Sequence, residues 1–177
     1  ELEADVDDTV NFQVYGNMEP QKAATEAVRE TEGQILCQNG EAVEAYYFST
    51  SAGVTSTDEI WGSNEAAPYL RSVPCKFDEE EPWSSWIVEL PWKMLEDRIR
   101  EKGEGTVLRS VTVTRRSESG AATALEAVSD KDSCIIENEY EIRKFLAPVN
   151  CMITEKDGTE TAGGSLLPSA YFELERM

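Results

Sequence analysis

Residues 44–73, EAYYFSTSAGVTSTDEIWGSNEAAPYLRSV, decide how the rest of the chain is read. The stretch opens on three aromatics, Tyr46, Tyr47 and Phe48, and passes abruptly into hydroxyls and small residues: Ser49, Thr50, Ser51, Gly53, Thr55, Ser56 and Thr57. Trp61-Gly62 and Pro68-Tyr69-Leu70-Arg71 close it. Just ahead, the runs 34–38 and 41–48 flank Asn39-Gly40, the dipeptide that best supplies the two positive-φ residues of a type I′ turn. The pattern predicts a hairpin there, followed by an ordered surface loop over 49–57. Tyr69 to Val73 is expected to return as a strand that stops at Pro74, with Tyr69 and Arg71 on one face and Leu70 turned to the core. Hydroxyls with aromatic rims are what a sugar polymer requires, partners for its own hydroxyls and flat faces for its rings. The same composition also describes an ordinary polar loop anchored by a tryptophan.

Working outward, Phe12-Gln-Val-Tyr15 alternates as a short strand behind an acidic, extended lead-in over 1–11. Glu19-Pro20 is expected to open a helix to about Glu32, with Ala23, Ala24, Ala27 and Val28 facing a core and Gly33 as its C-terminal stop. Beyond the central stretch, Trp86 to Leu90 alternates as a strand. Pro91 begins a second helix with Trp92, Leu95 and Ile99 on one face, ended by Gly103. Strands follow over 106–115, 121–129 and 133–137, the first two joined by Ser117-Glu-Ser-Gly120. Asn138 with Glu141 forms a capping box for a short helix through Leu146. Residues 155–165 are the most flexible-looking loop. The chain reads as α+β, a mostly antiparallel sheet with hairpins and about three short helices, in one domain spanning 1–177.

Composition excludes several functions. Thirty-five acids against sixteen bases give a net charge of −19, so nucleic acid is an unsuitable partner. The acidic clusters at 5–8 and 78–81 lack the spacing of a calcium loop and read as solvated charge. The chain has no histidine, which rules out Ser-His-Asp and Cys-His nucleophiles and any histidine base or zinc ligand within it. Cys37, Cys75, Cys134 and Cys151 show no paired spacing, so no metal site is expected. They allow two disulfides of unreadable connectivity, while Cys37 and Cys134 sit in apolar runs that suit small buried hydrophobes. No cofactor is implied. No apolar run approaches the ~20 residues of a membrane span.

Four segments in order carry a resemblance: Glu26-Ala-Val-Arg-Glu-Thr-Glu-Gly-Gln-Ile-Leu36, Ala45-Tyr-Tyr-Phe-Ser-Thr-Ser-Ala-Gly-Val-Thr55, Glu59-Ile-Trp-Gly62 and Pro68-Tyr-Leu-Arg-Ser-Val73. Together they resemble the stage II sporulation protein D / LytB family, most densely over 12–73. Weaker similarities continue in Arg116-Ser-Glu-Ser-Gly120, in Glu141-Ile-Arg-Lys-Phe-Leu146 and in Leu167-Pro-Ser-Ala-Tyr-Phe172, for the last of which the resemblance implies a strand. The resemblance implies an extracytoplasmic protein acting on peptidoglycan glycan strands, with other cell-wall or sporulation proteins as further partners. A membrane anchor ahead of Glu1 would be compatible with it.

Sporulation members are lytic transglycosylases. One carboxylic acid protonates the glycosidic oxygen, and its carboxylate then takes the proton of the sugar's 6-hydroxyl as a 1,6-anhydro ring closes. The runner-up is a non-catalytic peptidoglycan-binding or amidase-enhancer module. A family segment with two cysteines and a histidine, zinc-binding in some members, is matched here by Asp7, Phe12 and Asn11. The helix that bears the family's catalytic Glu and the glycine-rich motif after the last strand have no counterpart, so the chain is expected to be the substrate-cleft core. The substrate-binding candidates are Tyr15, Ser49, Thr50, Ser51, Thr55, Trp61, Tyr69 and Arg71. Glu59, beside the desolvating Ile60-Trp61, is the candidate acid.

Overall fold

The structure, a computed structural model, describes residues 19–56 and 67–176. The strand expected at 12–16, the 1–11 lead-in, and Tyr15, Glu59 and Trp61 lie outside the described residues. The chain divides into two compact units at Tyr46/Tyr47. Among the described residues it is α+β, with three helices and three antiparallel sheets, as the sequence predicts.

In the first unit, α1 spans Lys22–Glu30, with Gln21 at its N-cap and Pro20 just outside. Gly33 follows its end at φ +74. The alanine-valine stripe was expected to face a core, yet α1 contains no buried residue and Val28 is 70% exposed. The hairpin forms as predicted: β1 (Cys37–Gln38) pairs with β2 (Glu41–Ala42) around Asn39 at φ 53 and Gly40 at φ 87. It is shorter than the apolar runs suggest, extended only by the Val43 amide on the Leu36 carbonyl. Cys37 is exposed there rather than buried.

The second unit holds the core. A 3₁₀ turn at Pro82–Ser84 leads into β3 (Trp86–Val88), and α2 follows over Trp92–Glu101. Then come β4 (Leu108–Arg116), β5 (Ala122–Ser129), β6 (Ser133–Glu137) and α3 (Glu139–Phe145). The chain ends in β7 (Met152–Glu155), β8 (Glu160–Ala162) and an irregular C-terminal segment. β5 lies between β4 and β6, and Ala122, Ala124, Leu125 and Ala127 along it are buried. Leu95 and Ile99 of α2 join Ile142 and Phe145 of α3 and Leu125 in one apolar cluster, so both helices bury the faces their 3–4 spacing sets up. Cys134 packs against that cluster, and burial pushes its thiol up. The capping box holds: the Asn138 side chain accepts from the Glu141 amide at 2.9 Å.

Three expected features differ. Residues 155–165 form a hairpin rather than a loose loop, closed by the Gly158 amide on the Glu155 carbonyl and the Glu155 amide on that of Thr159. Leu167–Phe172 joins no sheet; its carbonyls are taken instead by arginine side chains and the Ala122 amide. Residues 69–73 are a turn and irregular chain, because Leu70 bonds back to Ala67 and sheet-like pairing begins only where Val54 meets Pro74.

Candidate functional site

A cleft of about 360 Å³ opens in the second unit. Four segments build it: the 49–52 loop, the Pro82–Trp86 turn entering β3, Ile153 of β7, and residues 162–171. Trp83, Trp86 and Tyr171 are among its lining residues, together with Ser49, Thr50, Ser51, Ser84 and Ser169, and the hydroxyls of Ser51 and Ser84 are donated to the Cys75 and Glu79 carbonyls.

Each segment is fixed from behind. The Ser51 amide donates to Asp78 at 2.7 Å and its hydroxyl to the Cys75 carbonyl at 3.4 Å, leaving Ser51 buried. The bond from the Ser51 amide is the main reason the Asp78 carboxyl lies below its usual range, followed by the Ser51 side chain. Further along, the Thr55 amide reaches the Val73 carbonyl, the Val73 amide donates to the Thr55 hydroxyl at 2.9 Å, and the Cys75 amide closes on Gly53. The rim is therefore held as a two-stranded clasp without being a strand.

Trp86 sits opposite Glu155 in the β3–β7 register, and Val88 opposite Ile153, so these four side chains share one face. Thr161 of β8, opposite Ile153, donates to Glu155 at 2.5 Å and satisfies one oxygen of that buried carboxylate. The C-terminal wall hangs on two arginines. Arg143 donates to the Leu167 carbonyl at 2.8 Å and the Pro168 carbonyl at 3.3 Å, itself paired with buried Glu139 at 3.1 Å. Arg116 joins the Gly120 carbonyl to that of Phe172. The Tyr171 hydroxyl donates to Ser119 at 2.8 Å and meets Ser56 at 2.7 Å. With its single proton spent on Ser119, it accepts from Ser56. The phenol thus ties the 49–56 rim to the β4–β5 turn.

Of the residues the sequence singles out, Ser49, Thr50 and Ser51 line the cleft. Thr55 lies beside them, its hydroxyl and carbonyl committed to Val73 and Ser72. Tyr69, 41% exposed, and exposed Arg71 are not among the lining residues. The sequence reading missed Trp83, Trp86, Ser169 and Tyr171. Their signal was Pro82-Trp-Ser-Ser-Trp86, which places two of the chain's four tryptophans three residues apart with serines between. No cluster of three or more potential metal ligands occurs among the described residues.

No protein-family model matches the chain, and no solved structure does. Three curated proteins do. "Stage II sporulation protein D" of Bacillus subtilis (strain 168) is 39% identical over 89 residues, 44% of this chain and 26% of that protein. Its namesake in Bacillus amyloliquefaciens is 37% identical over the same shares. "Amidase enhancer" of Bacillus subtilis (strain 168) is 34% identical over 94 residues, 52% of this chain and 13% of that protein. The chain thus spans about a quarter or less of the relatives it matches. Over about half its own length, this chain is similar to these proteins.

Proposed function

We propose that the chain serves a cell-wall process of sporulation outside the cytoplasm, and that its cleft holds peptidoglycan glycan strands. The relatives' names support the process, and the cleft supports the ligand. The observation that carries the reading is the convergence of Trp83, Trp86 and Tyr171 with five Ser or Thr residues around one cavity. Sugar rings present apolar C–H faces to aromatic planes and hydroxyl edges to short polar side chains, and this lining offers both. Ser49, Thr50 and Ser51 are the first contacts we assign.

Within this reading the cleft binds the strand, and among the described residues none of its lining side chains is a carboxylate. That favours a substrate-holding region of a glycan-cleaving or amidase-enhancing protein over a self-contained lytic transglycosylase site. The test is titration with peptide-free glycan strands, followed by tryptophan fluorescence. Trp83→Ala should weaken binding about tenfold or more with the circular-dichroism spectrum unchanged, the usual size of effect for a buried aromatic anchor. Unaltered affinity would refute the cleft. Tyr69→Ala and Arg71→Ala serve as comparisons, and a loss in either would bring the 67–73 turn into the strand's path. Incubated strands should yield no 1,6-anhydro product by mass spectrometry. Turnover abolished by Glu59→Gln would instead assign the acid to Glu59.

A further inference from the structure

The sheet of β4, β5 and β6 has two outer edges, and the protein treats them differently. At the start of β4, side chains take up the backbone groups. The Leu108 amide donates to Glu96 at 3.2 Å, the Leu108 carbonyl accepts from the Trp92 indole at 3.1 Å, and the Arg109 carbonyl accepts from Arg176 at 2.9 Å. β6 has no such cover. The Ser129 amide on the Asp132 carbonyl and the Asn138 amide on the Thr123 carbonyl fix the phase of its ladder. Even-numbered residues therefore bond to β5, and Ser133, Ile135 and Glu137 turn their amides and carbonyls outward. The Ser133 amide is taken by the Asp132 side chain at 2.8 Å. The Ser133 carbonyl and both backbone groups of Ile135 and Glu137 have no hydrogen-bond partner among the described residues. β6 contains no proline and pairs with β5 without a register shift, so two devices that usually blunt an edge are missing. Beside the open groups stands Ile135, 51% exposed.

We infer that the β6 edge docks an extended, basic segment of a partner protein, which adds to the sheet as an antiparallel fourth strand. The inference stands apart from the cleft and does not rest on it. Main-chain hydrogen bonds to Ser133, Ile135 and Glu137 supply the attachment, and their side chains, which share one face, set the choice of sequence. Charge selects the occupant. Over residues 126–144 six carboxylates stand against three cations. Two of the three are engaged, Lys131 with the Gly103 carbonyl and Arg143 with Glu139, and Arg115 of β4 is paired with Glu137. Lys102 acts on the Cys134 thiol together with Glu104, which offsets it. A second copy of this chain is a poor occupant. Pairing β6 with itself about Ile135 would set each Glu137 opposite Ser133, next to Asp132, and join two molecules of charge −19. The segment that fits carries an apolar side chain opposite Ile135 and a lysine or arginine two residues away, opposite Glu137.

The experiment titrates a fluorescent, end-capped Lys-Thr-Val-Thr-Lys peptide into the full chain and reads anisotropy. Two N-methylated forms run beside it, one blocked at the valine and second lysine amides, the other at the two threonine amides. All three peptides carry the same charge, so attraction to the overall charge of −19 treats them alike. With valine opposite Ile135, only the first form loses amides that face β6, and it should bind about tenfold more weakly than the second. Equal affinities of the two forms, or no binding of the parent peptide, overturn the inference. Ile135→Pro removes an outward amide at an edge position that tolerates proline, whereas Ile135→Ala keeps the amide and loses only the side chain. The proline variant should therefore bind more weakly than the alanine one. Hydrogen exchange at the Ile135 and Glu137 amides should slow when the peptide binds, and unchanged exchange at both would sink the proposal. A Glu-Thr-Val-Thr-Glu peptide should fail to bind, and equal affinity for it would overturn the basic occupant. Self-association of the chain alone, abolished by Ile135→Pro, would give the edge to a second copy and overturn the inference as well.

Discussion

Asp78 shows how a single carboxylate can hold a rim in place. Its oxygen accepts from the Ser51 amide at 2.7 Å, and the favoured charged form keeps its carboxyl below the ordinary aspartate value of 3.8. A carboxyl depressed in the folded state stabilises that state above its unfolded value, and the contribution is lost as pH falls through the folded value. Sugar affinity should therefore hold steady from neutral pH down to about 4 and fall below it, as the Ser51 amide loses its acceptor. Asp78→Ala should reproduce the acid behaviour at neutral pH, with faster hydrogen exchange at Ser51. A variant that keeps slow exchange there would show that the bond does not hold the rim. Gly163 is a second case. A Cβ at Gly163 would come within 2.1 Å of the Pro148 carbonyl oxygen, whereas one at neighbouring Gly164 would meet nothing. Gly163→Ala should cost about 1–3 kcal/mol, as forced overpacking does, and Gly164→Ala close to nothing. Thermal unfolding of the two variants gives the comparison, and equal midpoints would contradict it.

At the scale of elements, α3 depends on its first residue. Asn138 sits at φ 60, ψ 154, a strained backbone that favours glycine, and its side chain supplies an acceptor to the Glu141 amide. Asn138→Ala should lower stability by about 1–2 kcal/mol, and Asn138→Gly by less, because glycine restores the backbone but not the bond. Chemical denaturation measures both, and a glycine variant as unstable as the alanine one would remove the conformational part of the argument. Such local devices are what a sequence displays. Asn39-Gly40, the Asn138–Glu141 box and the Ser133–Glu137 strand were legible because their determinants lie within a few residues. The β7–β8 hairpin was not read from the sequence, because the threonines and glycines of 155–165 mimic a linker. The family resemblance implies a strand at Leu167–Phe172, yet arginines from α3 and β4 supply its partners, and that supply has no local trace. The candidate site divides in the same way. The hydroxyl rim announced itself, whereas Trp83 and Trp86 became neighbours of it only through a contact such as Ser51 to Asp78, twenty-seven residues apart.

For the whole molecule, a net charge of −19 over 177 residues repels itself, so modest salt should raise the midpoint of thermal unfolding. A midpoint independent of salt would mean that local ion pairs already offset the repulsion. The tie from Ser56 to Tyr171 has a consequence in time. It joins residues 115 positions apart, and the cleft exists only once that span has closed. Contacts of such long range form late, because the closure entropy must be met before they contribute. A transition state still lacking the cleft gains nothing from a sugar that the native state binds. Saturating glycan should therefore slow unfolding in stopped-flow experiments and leave the refolding rate unchanged. In this protein ligand would act as a brake on opening rather than as a template for closing.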